Sequence, residues 1–417
     1  MTIWLVCLSV IPASAQQTWT LDLTVKRALE AAPELRASEA EVRAREGMLQ
    51  QAGAWPNPEF EVGADNHLGK EDGRAGQALT GLAFSQSLPV SGRLGHERKN
   101  ATAELARAEA EYLDQVLQVE YRAARTFHAL QLARETLILA ESRLQAADEF
   151  QRIGVRRERA GDLARLERLR LDIIRESAQQ AVATAEGEYS EALADFQVYM
   201  GIPDVPAPEP VRLTLPELPQ PLDALLGGLV SHPRLSAARH RISAAQATVN
   251  LARASRFADP QLRVFRERDF LGNRRQEVTG AGVSLPLPLW DRKSGLIRAT
   301  LEGAEQARSQ LQGLQRDLDS RVRLSHLHLG HLIAQAKDYR TRILGPAEEM
   351  FSMTRKGYAA GEVEILGLID ANDIHFDAHT RYLELLQEAW LEVAELRLVS
   401  GQSLTAPAQT TIQGTQP

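Results

Sequence analysis

"GLAFSQSLPVSGRLGHE" (residues 81–97) and "GAGVSLPLPLWDRKSGL" (residues 280–296) carry the same order of parts. Small and apolar residues lead to Ser-Leu-Pro, and a polar run with Gly follows. Each reads as a strand end, a Pro turn and a helix start. A chain that makes this turn twice, about 200 residues apart, is expected to hold two copies of one unit.

Four further pairs follow in the same order. "AAPELRA" (31–37) matches "SHPRLSA" (231–237), and "WPNPEF" (55–60) matches "FADPQL" (257–262). "RAGDLARL" (159–166) matches "AAGEVEIL" (359–366), and "YMGIP" (199–203) matches "VSGQS" (399–403). The offsets stay between about 197 and 202, which reads as a tandem duplication. The expected layout is a leader at 1–15, a first repeat at 16–201, a linker at 202–221, a second repeat at 222–401 and a disordered tail at 402–417. The linker, "IPDVPAPEPVRLTLPELPQP", carries seven prolines and reads as a semi-rigid extended connector.

Composition points to long helices. The chain has 417 residues, 25% charged, 44% hydrophobic and only 5% aromatic, with a net charge of −7. No basic stripe suggests nucleic acid. "MTIWLVCLSVIPASAQQ" opens with an apolar run ending at Ala13-Ser14-Ala15, a secretory leader with an A-x-A site. The usual leading Lys or Arg is absent, which fits a start lacking its first residues. Cys7, the only cysteine, falls in the leader, so the mature chain has no disulfide. Val6 is larger than the Gly or Ala that precedes a lipidated Cys. After residue 15 no run of about 20 apolar residues remains to make a membrane helix.

Between Pro89 and Pro203 there is no proline, and an apolar seam runs through that region. Leu105, Ala108, Tyr112, Val116, Val119, Ala123, Phe127, Leu130, Ala133, Leu137, Ala140, Leu144 and Ala147 step by threes and fours. The mean step is 3.5, the coiled-coil period. Leu311, Leu314, Leu318, Val322, Leu329, Leu332, Ala336, Tyr339 and Ile343 repeat it. On helices alone, the reading is a periplasmic coiled-coil structural or adaptor protein without a pore.

Four short stretches argue against a plain rod. "EFEVGAD" (59–65) alternates, with Phe60, Val62 and Ala64 on one face. "LAFSQSL" (82–88), "QLRVF" (261–265) and "VTGAGVSL" (278–285) follow suit, giving hairpins over about 57–88 and 259–287. The loops between them read as "NHLGKEDGRAGQ" and "RDFLGNRRQE". In an exported chain these suit a membrane β-barrel. Four strands cannot close one, since about eight is the minimum. Three copies give twelve strands and no open edge in lipid. The expected fold is mainly α with a small β part: a long antiparallel coiled-coil α-barrel beneath a trimeric 12-stranded transmembrane β-barrel.

With the duplication, the "SLP" turns and "RAGDLARLERLRL" and "YAAGEVEILGLIDA" in hand, the chain resembles the TolC-like outer-membrane efflux proteins over roughly residues 20–401. "WPNPEFEV" further resembles the branch serving cobalt, zinc and cadmium resistance. The resemblance implies a homotrimeric outer-membrane exit duct that extends into the periplasm. It also implies a periplasmic adaptor protein and an inner-membrane pump of the resistance-nodulation-division type, with metal cations favoured as cargo. It implies no enzyme activity and no cofactor, and the residues carry no Walker loop, G-x-S-x-G or H-E-x-x-H.

The helical hairpin tips, about 154–170 and 355–372, are the expected entrance. By resemblance, Gly161, Asp162, Leu163, Ala164, Arg165, Gly361, Glu362 and Val363 meet the adaptor. Tyr358 and Glu167 occupy the positions of a gate hydrogen bond, and Asp370 those of an acidic ring. Val363 replaces an Arg of the archetype's gate, and Gly367 replaces its other ring acid. In "HLHLGH" only His328 and His331 share a helix face, so His326, His328 and His331 read as polar coiled-coil positions rather than metal ligands.

Overall fold

The computed structural model describes residues 19–65, 79–202, 210–218, 220–271 and 274–405. The expected leader with Cys7, the loop 66–77 and everything after 405 lie outside them. The first half contains α1 (Leu21–Ala31), α2 (Pro33–Gln51), β1 (Glu59–Asp65), β2 (Leu79–Ser87), α3 (Arg93–Ala160) and α4 (Arg165–Met200). The second half repeats the order with α5 (Leu222–Gly228), a short 3₁₀ turn, α6 (Pro233–Ala254), β3 (Gln261–Leu271) and β4 (Arg274–Ser284). It then continues with α7 (Ser294–Tyr339), a π turn (Arg340–Leu344), α8 (Gly345–Ala360) and α9 (Ile365–Ser400). At 68 residues, α3 alone is ~100 Å long.

The chain folds into two compact units, and neither coincides with a repeat. One gathers Met1–Leu35, Asp114–His232 and Asp317–Pro417; the other gathers Arg36–Leu113 and Pro233–Arg316. Each half therefore supplies both.

The unit containing Arg36–Leu113 holds the sheet. Its four strands are antiparallel in the order β1-β2-β3-β4, so β1 and β4 each have an edge with no strand partner among the described residues. Phe60 pairs with Phe84, Phe84 with Val264 and Val264 with Ala281, which places the apolar residues on one face. That face is bare: Phe60 is 69% exposed and Val62 68%. The other face carries Glu61, ion-paired with Arg263 at 3.1 Å, and Phe265. Phe265 lies over Gly280, where a Cβ would come within 2.5 Å of the ring. The glycine is thus a seat for the aromatic.

The charged loop read as "RDFLGNRRQE" is mostly strand. The ladder runs on through Asp269–Gln276 to Leu271–Arg274. Backbone hydrogen bonds do not depend on side-chain polarity, and Arg268 and Glu277 pair across the ladder at 3.3 Å. The turns quoted first are alike in hydrogen bonding. The Val90 amide donates to Leu88 O at 2.8 Å, and the Leu289 amide to Leu287 O at 2.9 Å. The structure thus equates Pro89 with Pro288, not with the Pro286 of the matching Ser-Leu-Pro. The first turn is also tied down. Leu88 donates to Pro260 O at 2.8 Å, and Arg93 pairs with Asp259 at 2.7 Å.

The other unit is helical. From Val116 on, every residue of the first apolar seam lies in this unit and is buried or half-buried. Phe127 and Leu130 are nearly inaccessible, and burying such a side chain contributes about 1.5–3 kcal/mol. The second seam slips at its end. Ile343 is 46% exposed and Leu344 is 5% exposed. The π turn inserts one residue, so the seam passes to the next side chain. The described linker residues 210–218 form no helix, and Pro210 bridges to Trp19. Gln131 donates to Val211 O and Trp390 Nε1 to Thr214 O, both at 2.6 Å. His128 stacks on Trp390 with centroids 5.1 Å apart. The segment expected to begin the tail is anchored at first: Ser403 Oγ and the Leu404 amide donate to the Glu120 carboxylate, each at 2.8 Å.

Candidate functional site

The two tips are built alike. α3 stops at Gly161 and α8 at Gly361, with φ of 84° and 82°. Both turns close in the same way: the Asp162 amide donates to Arg157 O, and the Glu362 amide to Gly357 O, each at 2.8 Å. This is the 6→1 bond of a Schellman cap, which wants a left-handed residue at the glycine. Next, α4 begins at Arg165 and α9 at Ile365.

Within this unit the two hairpins share one core. Phe150 and Ile153 of α3, Leu163 and Leu171 of the first tip, and Tyr358, Ile365 and Leu368 of the second pack together. Two glycines make room for it. A Cβ on Gly154 would lie 2.3 Å from Leu171 Cδ1, and one on Gly357 2.6 Å from Val363 Cγ2. Ion pairs flank the core: Arg355–Glu149 at 3.0 Å, Arg143–Asp373 at 2.7 Å and Arg168–Glu158 at 2.9 Å.

Tyr358 is 1% exposed, and its hydroxyl makes no hydrogen bond of good geometry among the described residues, although the Arg157 side chain lies within reach of it. The Arg157 guanidinium carbon lies 5.4 Å from the ring centroid. Burial pushes the phenol above its usual range; the Arg157 charge opposes this and the Glu167 charge adds to it. Glu167 itself accepts from the Ala164 amide at 3.3 Å, half of a capping box for α4. The structure thus brings Tyr358 and Glu167 into one neighbourhood without bonding them within the chain. Asp370 is exposed on α9.

Of the other tip residues, Gly161, Asp162, Ala164, Arg165, Gly361 and Glu362 are exposed and Val363 is half-buried. Leu163 turns inward, 9% exposed. One group has no counterpart in the reading of the sequence. His375 stacks on Phe351 at 4.5 Å, and His379, one turn on, bonds Glu348 at 3.1 Å. Burial, and then His379, lowers the His375 pKa against the pull of Glu348. The i, i+4 spacing of the two histidines was the available signal. Elsewhere on α7, His328 pairs with Glu392 at 3.1 Å and His326 meets Gln220 O at 3.2 Å. No group of three metal-binding side chains occurs among the described residues.

The repeated hairpins, the paired tips and the half-bare sheet make one pattern, and residues 24–201 and 228–402 match a family described as outer membrane efflux protein. The chain belongs to that family. It is an outer-membrane channel protein and not an enzyme. The cobalt-zinc-cadmium resistance protein CzcC of Cupriavidus metallidurans is 24% identical over 398 residues, covering 94% of this chain and 92% of that protein. Crystal structures of CusC share the fold at TM-score 0.75 and 18% identity, over 92% of each chain. The open state of the Neisseria gonorrhoeae MtrE outer membrane channel does so at TM-score 0.75 and 18% identity, over 94% of this chain and 91% of that one. A helical protein with a four-stranded share of a barrel, as read from the sequence, is the fold of these channels.

Proposed function

We propose that this protein is the exit duct of a tripartite efflux system, a homotrimer that passes solute from a periplasmic adaptor and an inner-membrane pump to the exterior. The observation that carries this reading is the sheet. It has one bare apolar face and two strand edges without strand partners among the described residues, and it is attached to helices long enough to line a tunnel. In hydrocarbon an open edge leaves backbone groups unsatisfied, so the strands need other copies to close on. The pump belongs to the resistance-nodulation-division type, which the family resemblance implies. Energy comes from that partner.

The entrance is the pair of tips. Tyr358, Glu167 and Asp370 form the gate. A rotation of Glu167 out of its cap would give the orphaned Tyr358 hydroxyl an acceptor, while three copies of Asp370 place a negative ring on the path and favour cations. The turns at Gly161–Arg165 and Gly361–Val363, exposed at Gly161, Asp162, Ala164, Arg165, Gly361 and Glu362, dock the adaptor, with Leu163 propping the first from beneath. Metal cations are the favoured cargo, supported by the likeness to CzcC and by the acid at the tip.

The test is function in a membrane and in a cell. Purified protein in planar bilayers should conduct, and a strain lacking it should become sensitive to cobalt, zinc and cadmium. Absence of conductance sinks the duct, whereas sensitivity to drugs alone removes the metal preference and leaves the duct standing.

A further inference from the structure

Strand register ranks the apolar face of the sheet into rows. Phe60, Phe84, Val264 and Ala281 make one row, and Val62, Leu82, Arg266 and Thr279 the next. The row after that is Ala64, Thr80, Arg268 and Glu277. The face thus changes from apolar to charged within two rows, toward the β3–β4 turn. In the other direction the next row is Gln86, Leu262 and Val283, with the Gln86 amide turned to the Pro56 and Ser87 carbonyls at 3.0 and 2.9 Å, and beyond it come the exposed Leu285, Leu287 and Trp290.

The distances fit a membrane. From Leu285 to Thr279 is six residues, ~20 Å along a strand. At a strand tilt of about 40° this is ~15 Å of height, and the apolar residues after Leu285 extend it toward the ~25 Å of a lipid-facing band. Arg266 and Arg268 then sit where the far headgroups lie, at the end of the sheet opposite the helices. Both pair with Glu277, Arg268 at 3.3 Å and Arg266 in closer contact. Two guanidinium groups against one carboxylate leave a net positive charge. All three side chains are well exposed, at 64%, 55% and 44% for Arg266, Arg268 and Glu277. The charges of Glu61, Arg263 and Glu267 are on the opposite face.

We propose that Arg266 and Arg268 form a binding site for the phosphate of a phosphorylated lipid headgroup in the outward leaflet. This rests on the reading that the bare face meets lipid. Guanidinium forks bind phosphate oxygens bidentately, and the single Glu277 carboxylate offsets only one of the two positive charges. Acyl chains attached to that phosphate lie along Leu82, Phe84 and Val264, directly beneath. A free anion gains only the charges. A lipid gains both surfaces, and the register places them in that order.

The experiment is native mass spectrometry and thermal unfolding of the full-length protein in detergent. The probes are a bis-phosphorylated acylated glucosamine disaccharide, its dephosphorylated form and inorganic phosphate. The phosphorylated lipid should be retained and should raise Tm, and dephosphorylation should weaken retention at least tenfold. R266Q with R268Q should lose the preference while keeping the lipid-free Tm. E277Q, which removes the competing carboxylate, should retain the lipid as well as or better than the parent. Equal retention of both lipids overturns the proposal, as does E277Q weakening retention like the double Gln variant; the cluster is then a self-contained ion network. A Tm rise with inorganic phosphate equal to that with lipid overturns the lipid assignment. If the protein instead stays dispersed in water without detergent, the failure lies in the membrane reading itself.

Discussion

Replacing Tyr358 by Phe separates packing from gating. The ring is 1% exposed among Phe150, Ile153, Leu171 and Leu368. Phe preserves that burial and removes only a hydroxyl that makes no hydrogen bond of good geometry among the described residues. The fold should therefore keep its stability, or gain slightly, because an unsatisfied buried hydroxyl costs about 1–3 kcal/mol. Gating should respond differently. If the closed state draws on a Tyr358–Glu167 hydrogen bond, each copy contributes about 1 kcal/mol net. Three copies opening together give about 3 kcal/mol, a closed-to-open ratio lowered up to roughly 100-fold at 1.4 kcal/mol per decade. The assay is leak conductance of single channels in planar bilayers, beside thermal unfolding in detergent. Higher leak at an unchanged or raised Tm is the expected result. Unchanged leak with unchanged Tm refutes the gate bond, and lower Tm refutes the claim that the hydroxyl is unpartnered.

Truncating the same side chain, Tyr358→Ala, should cost about 3–5 kcal/mol, seen as a lower Tm in detergent, because it opens a cavity in the core the tips share. Gly361→Ala meets no neighbour within 4 Å but must adopt φ near 82°, so it should lose about 1 kcal/mol in the same assay. Asp370→Asn should shift the reversal potential in a salt gradient toward lower cation preference; an unmoved potential removes the ring. His128 is buried and its pKa is lowered to about 4 from 6.5, by burial against the Gln131 hydrogen bond. The unfolded chain takes up that proton first. Stability should therefore fall as pH drops below about 6.5 and level off near 4, by about 3 kcal/mol at 1.36 kcal/mol per unit. His128→Gln should flatten that slope.

Much of this architecture was legible because it rests on periodicity and doubling. The α3 seam, the alternation of Phe60 and Val62 and the paired glycines are local patterns that packing obeys. The readings that slipped had local exceptions. The π turn moved the seam from Ile343 to Leu344, and no 3.5-residue count foresees an inserted residue. Charges at 268–277 suggested a loop, yet the ladder continued through them because its bonds are backbone bonds. At the tips, Gly161 and Gly361 announce themselves, but Leu163 and Tyr358 turning into one core depends on how two distant hairpins meet. Gly154 and Gly357 make sense only with Leu171 and Val363 beside them. His375 and His379 were spaced for notice, while their partners Phe351 and Glu348 lie across a helix pair.

Mass in detergent tests the account most directly. Its centre is that the described residues of one chain hold four strands and leave two edges open. Native mass spectrometry of the protein extracted from outer membranes should give particles of three chains. A particle of one chain, stable in solution with both edges bare, would contradict it.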